Sequence, residues 1–321
     1  MEVPDNLKYL YKHWEKHTQK PEHIKKISAD KKVLEKIIWL VNERMGIFEK
    51  KQKGEKPPFT KDEILSTYRF CNVYRELDRQ TIFFHTLLKP LEKDFSLWFL
   101  NMLFCRSICR TETIERIGLL NFDVENNKKV FKRLIESPSP KYGNAYIFPI
   151  STIQKSKWNT REKFFCLYYP IGAKNLVKEI EQFDKFSVVE ALKKLLPVFG
   201  FNMKFLMTEV LIDVAYQCPQ HIDLFKQFPI GPGSIPTMKS LNKINDPEIV
   251  NLELSQQIYP QINYLTFNEK SVYLSAENWE GIGCEFRKYT NLSNGKGRKR
   301  LYKSQRDCFA KPRNDVFYGI I

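Results

Sequence analysis

Residues 196–216 (LPVFGFNMKFLMTEVLIDVAY) set two carboxylates, Glu209 and Asp213, one helical turn apart behind a Leu-Pro-x-x-Gly sequence. Proline presets φ and glycine permits the turn, so a tight hairpin is expected at 196–204. Val198, Gly200 and Asn202 would then offer backbone to a phosphate, and a long, largely apolar helix follows. A carboxylate close to such a turn is of the type that stabilises developing positive charge or orients water. The same residues also fit an ordinary buried helix after a proline turn.

A second group of polar residues lies in YRFCNVYRELDR (68–79). At helical spacing Arg69, Asn72, Arg75 and Arg79 fall near one face, and Phe70, Val73, Tyr74 and Leu77 on another. Arginines with an asparagine on one stripe suit a phosphate or the edge of an extruded base. A salt-bridged surface helix is the plain alternative. Glu285, Lys288 and Tyr289 form a further cluster, in which Glu285 pairs with Lys288 at helical spacing. Gly231 and Gly233, in GPGS, fit either a phosphate cradle or a second turn.

The elements that must position these residues read as helices. Residues 5–53 suggest two of them, and Thr60-Lys-Asp-Glu63 suggests a capping box opening a helix over 60–80. An apolar helical pair is expected over 82–118, with Trp98, Phe99, Leu103 and Phe104 as core. Residues 137–157 read as a long loop with a β-prone patch from Tyr146 onward, near the site. Helices resume at 174–195 and 201–217, then after Gly233, at 245–265 and at 271–285. The expectation is a mostly α chain forming one domain over 1–321. Its parts are N-terminal helices (1–55), a helical core (56–285) and a basic C-terminal segment (286–321).

Composition narrows the function. The net charge of +15 favours a polyanionic partner. From Arg287 to Arg313 there are ten Lys/Arg against one acid, Asp307, interleaved with Tyr289, Tyr302 and Phe309. That pattern suits phosphate contact, with Arg298 and Arg300 among the contacting residues. No apolar run approaches the roughly 18–20 residues needed to cross a bilayer, so no membrane partner is expected. Seven scattered cysteines without a CxxC pair, and five histidines without zinc spacing, imply a reducing, cytoplasmic protein with no metal or cofactor. No GxxxxGK[ST] occurs, which argues against a P-loop kinase within these residues, and no GxGxxG follows a strand.

PPFTKDEILSTYRFCNVYRELDRQT (57–81) resembles the signature segment of the α-glutamyl/putrescinyl-thymine pyrophosphorylases, a helical domain shared with phage 5-hydroxymethyluracil DNA kinases. The likeness recurs in order at YGNAYIFP (142–149), FLMTEVLIDV (205–214), HIDLFKQFPIGPGS (221–234) and CEFRKYTNLSNGKGRKRLY (284–302). Phe59 stands where tryptophan is usual, and Thr208 where an aromatic is common. The resemblance implies a fold like the helix-hairpin-helix DNA glycosylases and work on hypermodified pyrimidines in double-stranded DNA. Two activities follow from it. One is excision of a bulky base, such as glucosylated 5-hydroxymethylcytosine, from phage DNA as antiviral defence. The other is replacement of pyrophosphate on an activated 5-hydroxymethyluracil by an amine. By likeness to the glycosylases, Asp223 lies close to the catalytic aspartate's distance from the hairpin, with Asp213 second. Lyase-type members carry lysine two residues after the hairpin glycine, and this chain has Asn202, so a monofunctional mechanism is expected.

Overall fold

The computed structural model describes residues 1–8, 28–143, 148–297 and 300–302. Tyr146 and Arg298 lie outside them, as do parts of the expected N-terminal helices and of the basic C-terminal segment. The sequence reads as one helical domain. In the structure the described residues of Met1–Thr81 and Leu224–Phe309 gather into one compact unit, and Ile82–Asp223 into another.

The chain is mostly helical. In order, the α-helices of five residues or more among the described residues are α1 (Lys31–Gln52), α2 (Glu63–Thr67), α3 (Arg79–Leu88), α4 (Phe95–Ile108), α5 (Thr111–Ile117) and α6 (Val124–Glu136). They continue with α7 (Tyr169–Ile180), α8 (Val188–Phe199), α9 (Lys204–Gln217), α10 (Ile235–Leu241), α11 (Pro247–Ser255) and α12 (Ala276–Ser293). Two short antiparallel strands, β1 (Leu265–Phe267) and β2 (Lys270–Val272), pair between α11 and α12.

Local chemistry sets the boundaries. Asp30 opens α1 by accepting from the Val33 amide at 3.1 Å, and Asp94 does the same for α4 through Leu97 at 3.0 Å. A reciprocal capping box of Ser187 and Glu190 starts α8. α4 is apolar nearly all round, and Trp98, Phe99, Leu103 and Phe104 are fully buried, as expected of a central helix. Each such side chain contributes about 1.5–3 kcal/mol by leaving water.

Three expectations are corrected. The capping residue of α2 is Asp62, which accepts from Leu65 at 2.8 Å. Thr60 instead donates to Glu43 at 2.7 Å. The helix expected over 60–80 stops at Thr67, and Arg75–Leu77 form only a single 3-10 turn. In between, the backbone is claimed by side chains. Arg44 donates to the carbonyls of Phe70 (3.0 Å) and Cys71 (3.1 Å), and Lys288 donates to that of Arg69. The helix expected over 174–195 is broken between α7 and α8. There Phe183 and Phe186 stack at 4.4 Å, and the backbone pairs with residues 220–223.

Candidate functional site

In the unit Ile82–Asp223, α8 and α9 meet through the four residues 200–203. Pro197 lies inside the last turn of α8, so the turn begins at Gly200 and not at Leu196 as the sequence suggests. Gly200 has φ 74°, a left-handed value that favours glycine, and its amide donates to the Leu196 carbonyl at 3.1 Å. Aromatic rings hold the turn: Phe201 meets Phe164 at 4.8 Å and Tyr168 at 4.9 Å, edge to face. The Tyr168 hydroxyl donates to the Phe199 carbonyl. Phe164 and Tyr168 bound a π-helical turn that leads into α7.

The N-terminus of α9 is open. Met203 occupies the cap position, and its side chain caps none of the first-turn amides. Val198, Asn202, Lys204 and Phe205 are exposed around it. A cleft of about 240 Å³ lies here, lined by Ser107, Phe148, Asn202, Lys204 and Phe205 among others. Tyr169 and Ser107 share a hydroxyl hydrogen bond of 2.7 Å at its wall. A helix start without a side-chain cap, flanked by a lysine and an asparagine, can hold an anion.

The three candidate carboxylates separate by burial. Asp213 has no exposed surface, and Arg106 grips it with Nε at 2.6 Å and Nη2 at 2.7 Å. His85 Nε2 lies 3.1 Å from the same carboxylate, between the rings of Trp98 and Tyr216. Asp213 therefore ties α9 to α3 and α4 from inside. Glu209, one turn earlier, is half-buried. Asp223 is also half-buried, and its amide donates to the Phe186 carbonyl at 2.9 Å, which sets it beside Ser187 at the start of α8.

The unit of Met1–Thr81 and Leu224–Phe309 holds the remaining candidates. The Arg69–Arg79 stripe does not exist as a helical face. Asn72 turns back to donate to the Leu77 carbonyl at 2.8 Å, and its amide meets Asp78 at 3.4 Å. Arg69 and Arg79 are exposed, and Arg75 is half-buried. The Glu285–Lys288 pair is present at 3.3 Å on α12. Glu285 also accepts from the Cys71 amide at 3.2 Å, and Lys288 sits 4.3 Å over the Phe70 ring. The Glu285 carboxylate, aided by burial, pushes the Cys71 thiol well above its usual range. Tyr289 donates to Asp62 at 2.7 Å, and burial followed by that hydrogen bond pushes its hydroxyl up to about 12.

Gly231 and Gly233 are explained by packing. The Gly231 amide donates to Glu280 at 3.2 Å, and a Cβ at Gly233 would fall 2.5 Å from Cys284 Sγ. With its amide held by a carboxylate, Gly231 fits the turn alternative.

The sequence signal for the Asp213 network was Arg106 itself, a lone cation inside FSLWFLNMLFCRSI. His85 carried no comparable signal.

Comparison with known proteins follows from these sequence blocks. The profile described as the 5-hmdU DNA kinase, helical domain, matches residues 31–298. The chain belongs to that family. A 5-hmdU DNA kinase of Bacillus phage SP10 is 28% identical over 149 residues, 42% of this chain and 23% of that protein. The chain thus matches about a quarter of the length of this relative. No solved structure matches. Among the described residues, no helix is long and apolar enough to cross a membrane.

Proposed function

We propose that this chain is a monofunctional DNA glycosylase that extrudes and excises a bulky modified pyrimidine, leaving an abasic site. The observation that carries this reading is the α8–turn–α9 unit. Its open helix start, flanked by Asn202 and Lys204, suits one phosphate of a distorted strand. Asp223, half-buried and held by backbone pairing beside the start of α8, is assigned the carboxylate; it stands one helix length, about 18 Å, from the turn, so the sugar it serves lies a few nucleotides from the gripped phosphate. N-glycosidic cleavage builds positive charge on the sugar, and Asp223 stabilises it or orients the attacking water. Asp213 is assigned the interior role of holding α9 in place, and Glu209 is not required for the chemistry. Asn202 has no amine, so no Schiff base forms at the position after the turn and the strand is not nicked.

A second reading starts from the same family match, whose named relative is a 5-hmdU DNA kinase. In it the same domain retains the base in DNA and exchanges an activated 5-substituent for an amine.

The test is incubation with unmodified DNA, 5-hydroxymethyluracil DNA and glucosylated hydroxymethylcytosine DNA, scoring alkali-labile sites. Alkali-labile sites on a modified substrate alone support excision. Their absence from all three, with amine incorporated into pyrophosphorylated DNA, supports the exchange reaction.

A further inference from the structure

The extended backbone that replaced the expected helix pairs with the basic segment after α12. Tyr68 and Leu301 form an antiparallel bridge, with the Tyr302 amide donating to Thr67 and the Arg69 amide to Arg300, both at 2.9 Å. This register puts Arg69 directly opposite Arg300. Both side chains are exposed, and neither forms an ion pair with a described residue. Like charges directly opposite on paired strands repel. An anion lying between them turns that repulsion into attraction.

The surroundings hold this arrangement and add to its charge. Lys51, at the end of α1, sits 4.3 Å over the Tyr302 ring and 5.7 Å over that of Phe59. Phe59 and Tyr302 meet edge to face at 6.4 Å, and Lys50 donates to the Phe59 carbonyl at 2.7 Å. Lys56 and Lys61 flank Phe59, exposed and likewise without an ion pair among the described residues. Of the nearby acids, Glu49 is taken by Lys53 at 2.9 Å, and Asp62 caps α2 and accepts from Tyr289. Glu55 and Glu63 remain exposed, leaving the surface cationic.

We infer that Arg69 and Arg300, with Lys56 and Lys61, grip successive phosphates of a DNA backbone. The inference rests on the reading that DNA is the partner and adds a contact surface on the unit that does not contain the α8–α9 turn. Neither base identity nor modification enters the contact, so unmodified duplex is the proper probe.

The experiment is fluorescence-anisotropy titration of the full chain with an unmodified duplex over a series of salt concentrations. Wild type is compared with the Arg69→Gln/Arg300→Gln double variant and with Arg69→Lys/Arg300→Lys. Each phosphate contact contributes a slope of about −0.9 in log K against log salt, so the glutamine variant should lose about 1.8 of slope and about tenfold or more in affinity near 0.1 M salt. The lysine variant should keep the slope. The glutamine variant should melt no lower than wild type, because a repelling pair has been removed. Unchanged slope and affinity in the glutamine variant overturn the inference. So does selective loss of binding to phosphatidylserine vesicles with DNA binding intact. No excision by the wild type on any modified DNA, with the slope difference preserved, would defeat the glycosylase reading and leave this surface standing.

Discussion

Removing the charge of Asp213 leaves Arg106 buried without its counter-ion, at a position where side-chain exposure is 2%. Breaking a buried pair on one side costs about 3–5 kcal/mol, so Asp213→Asn should lower the urea midpoint by a corresponding amount. An Asp213→Asn protein as stable as wild type would contradict the interior role. Tyr289 and Tyr264 titrate in the opposite sense to a salt-bridged acid. Both hydroxyls are pushed up to about 12, principally by burial, from an ordinary value of 10.0. The folded state therefore holds protons that the unfolded chain has released between pH 10 and 12. Stability should be level below pH 10 and fall as pH rises through that window, and Tyr289→Phe should flatten part of the fall in pH-dependent unfolding curves. At this scale the sequence was partly legible. Arg106 inside an apolar helix demanded a buried acid, whereas His85 could be placed only once α3 had been folded against α9.

At the scale of elements, the α8–α9 turn depends on a left-handed glycine and a platform of rings. Gly200→Ala should cost about 1 kcal/mol for the positive φ alone, since the nearest atom to an added Cβ is a comfortable 3.7 Å away. Thermal unfolding checks this, and a loss several times larger would mean the turn is strained by contacts as well. The helix pair and its turn were readable from LPVFG and from the apolar run after it, although the turn lies four residues later than the proline suggests. The segment 68–78 was not readable. Its arginine spacing imitates a helix, but Arg44 and Lys288, far away in sequence, take the carbonyls a helix would need. Periodicity records one face of a local element and is blind to such distant claims on the backbone.

For the molecule as a whole, the mostly α fold and the order of its family blocks were visible in the sequence, and the profile match over 31–298 agrees with them. The division into two compact units was not, because no glycine- or serine-rich linker marks the boundaries near Thr81 and Asp223. A monofunctional glycosylase also makes a prediction about covalent chemistry. Borohydride added during turnover should trap no protein–DNA adduct, since Asn202 offers no amine. A trapped adduct on denaturing gels would show lyase chemistry from another residue.

The most direct measurement is mass spectrometry of the base released from glucosylated hydroxymethylcytosine DNA by wild type, Asp223→Asn and Glu209→Gln, each first shown to be folded by circular dichroism. The account predicts free modified base in amounts equal to the abasic sites from wild type and Glu209→Gln. From Asp223→Asn it predicts a rate lower by at least about a hundredfold, the size of effect expected for a group that acts on the developing charge. Release by Asp223→Asn at the wild-type rate would contradict the assignment of Asp223, and no released base from wild type would contradict excision of this base.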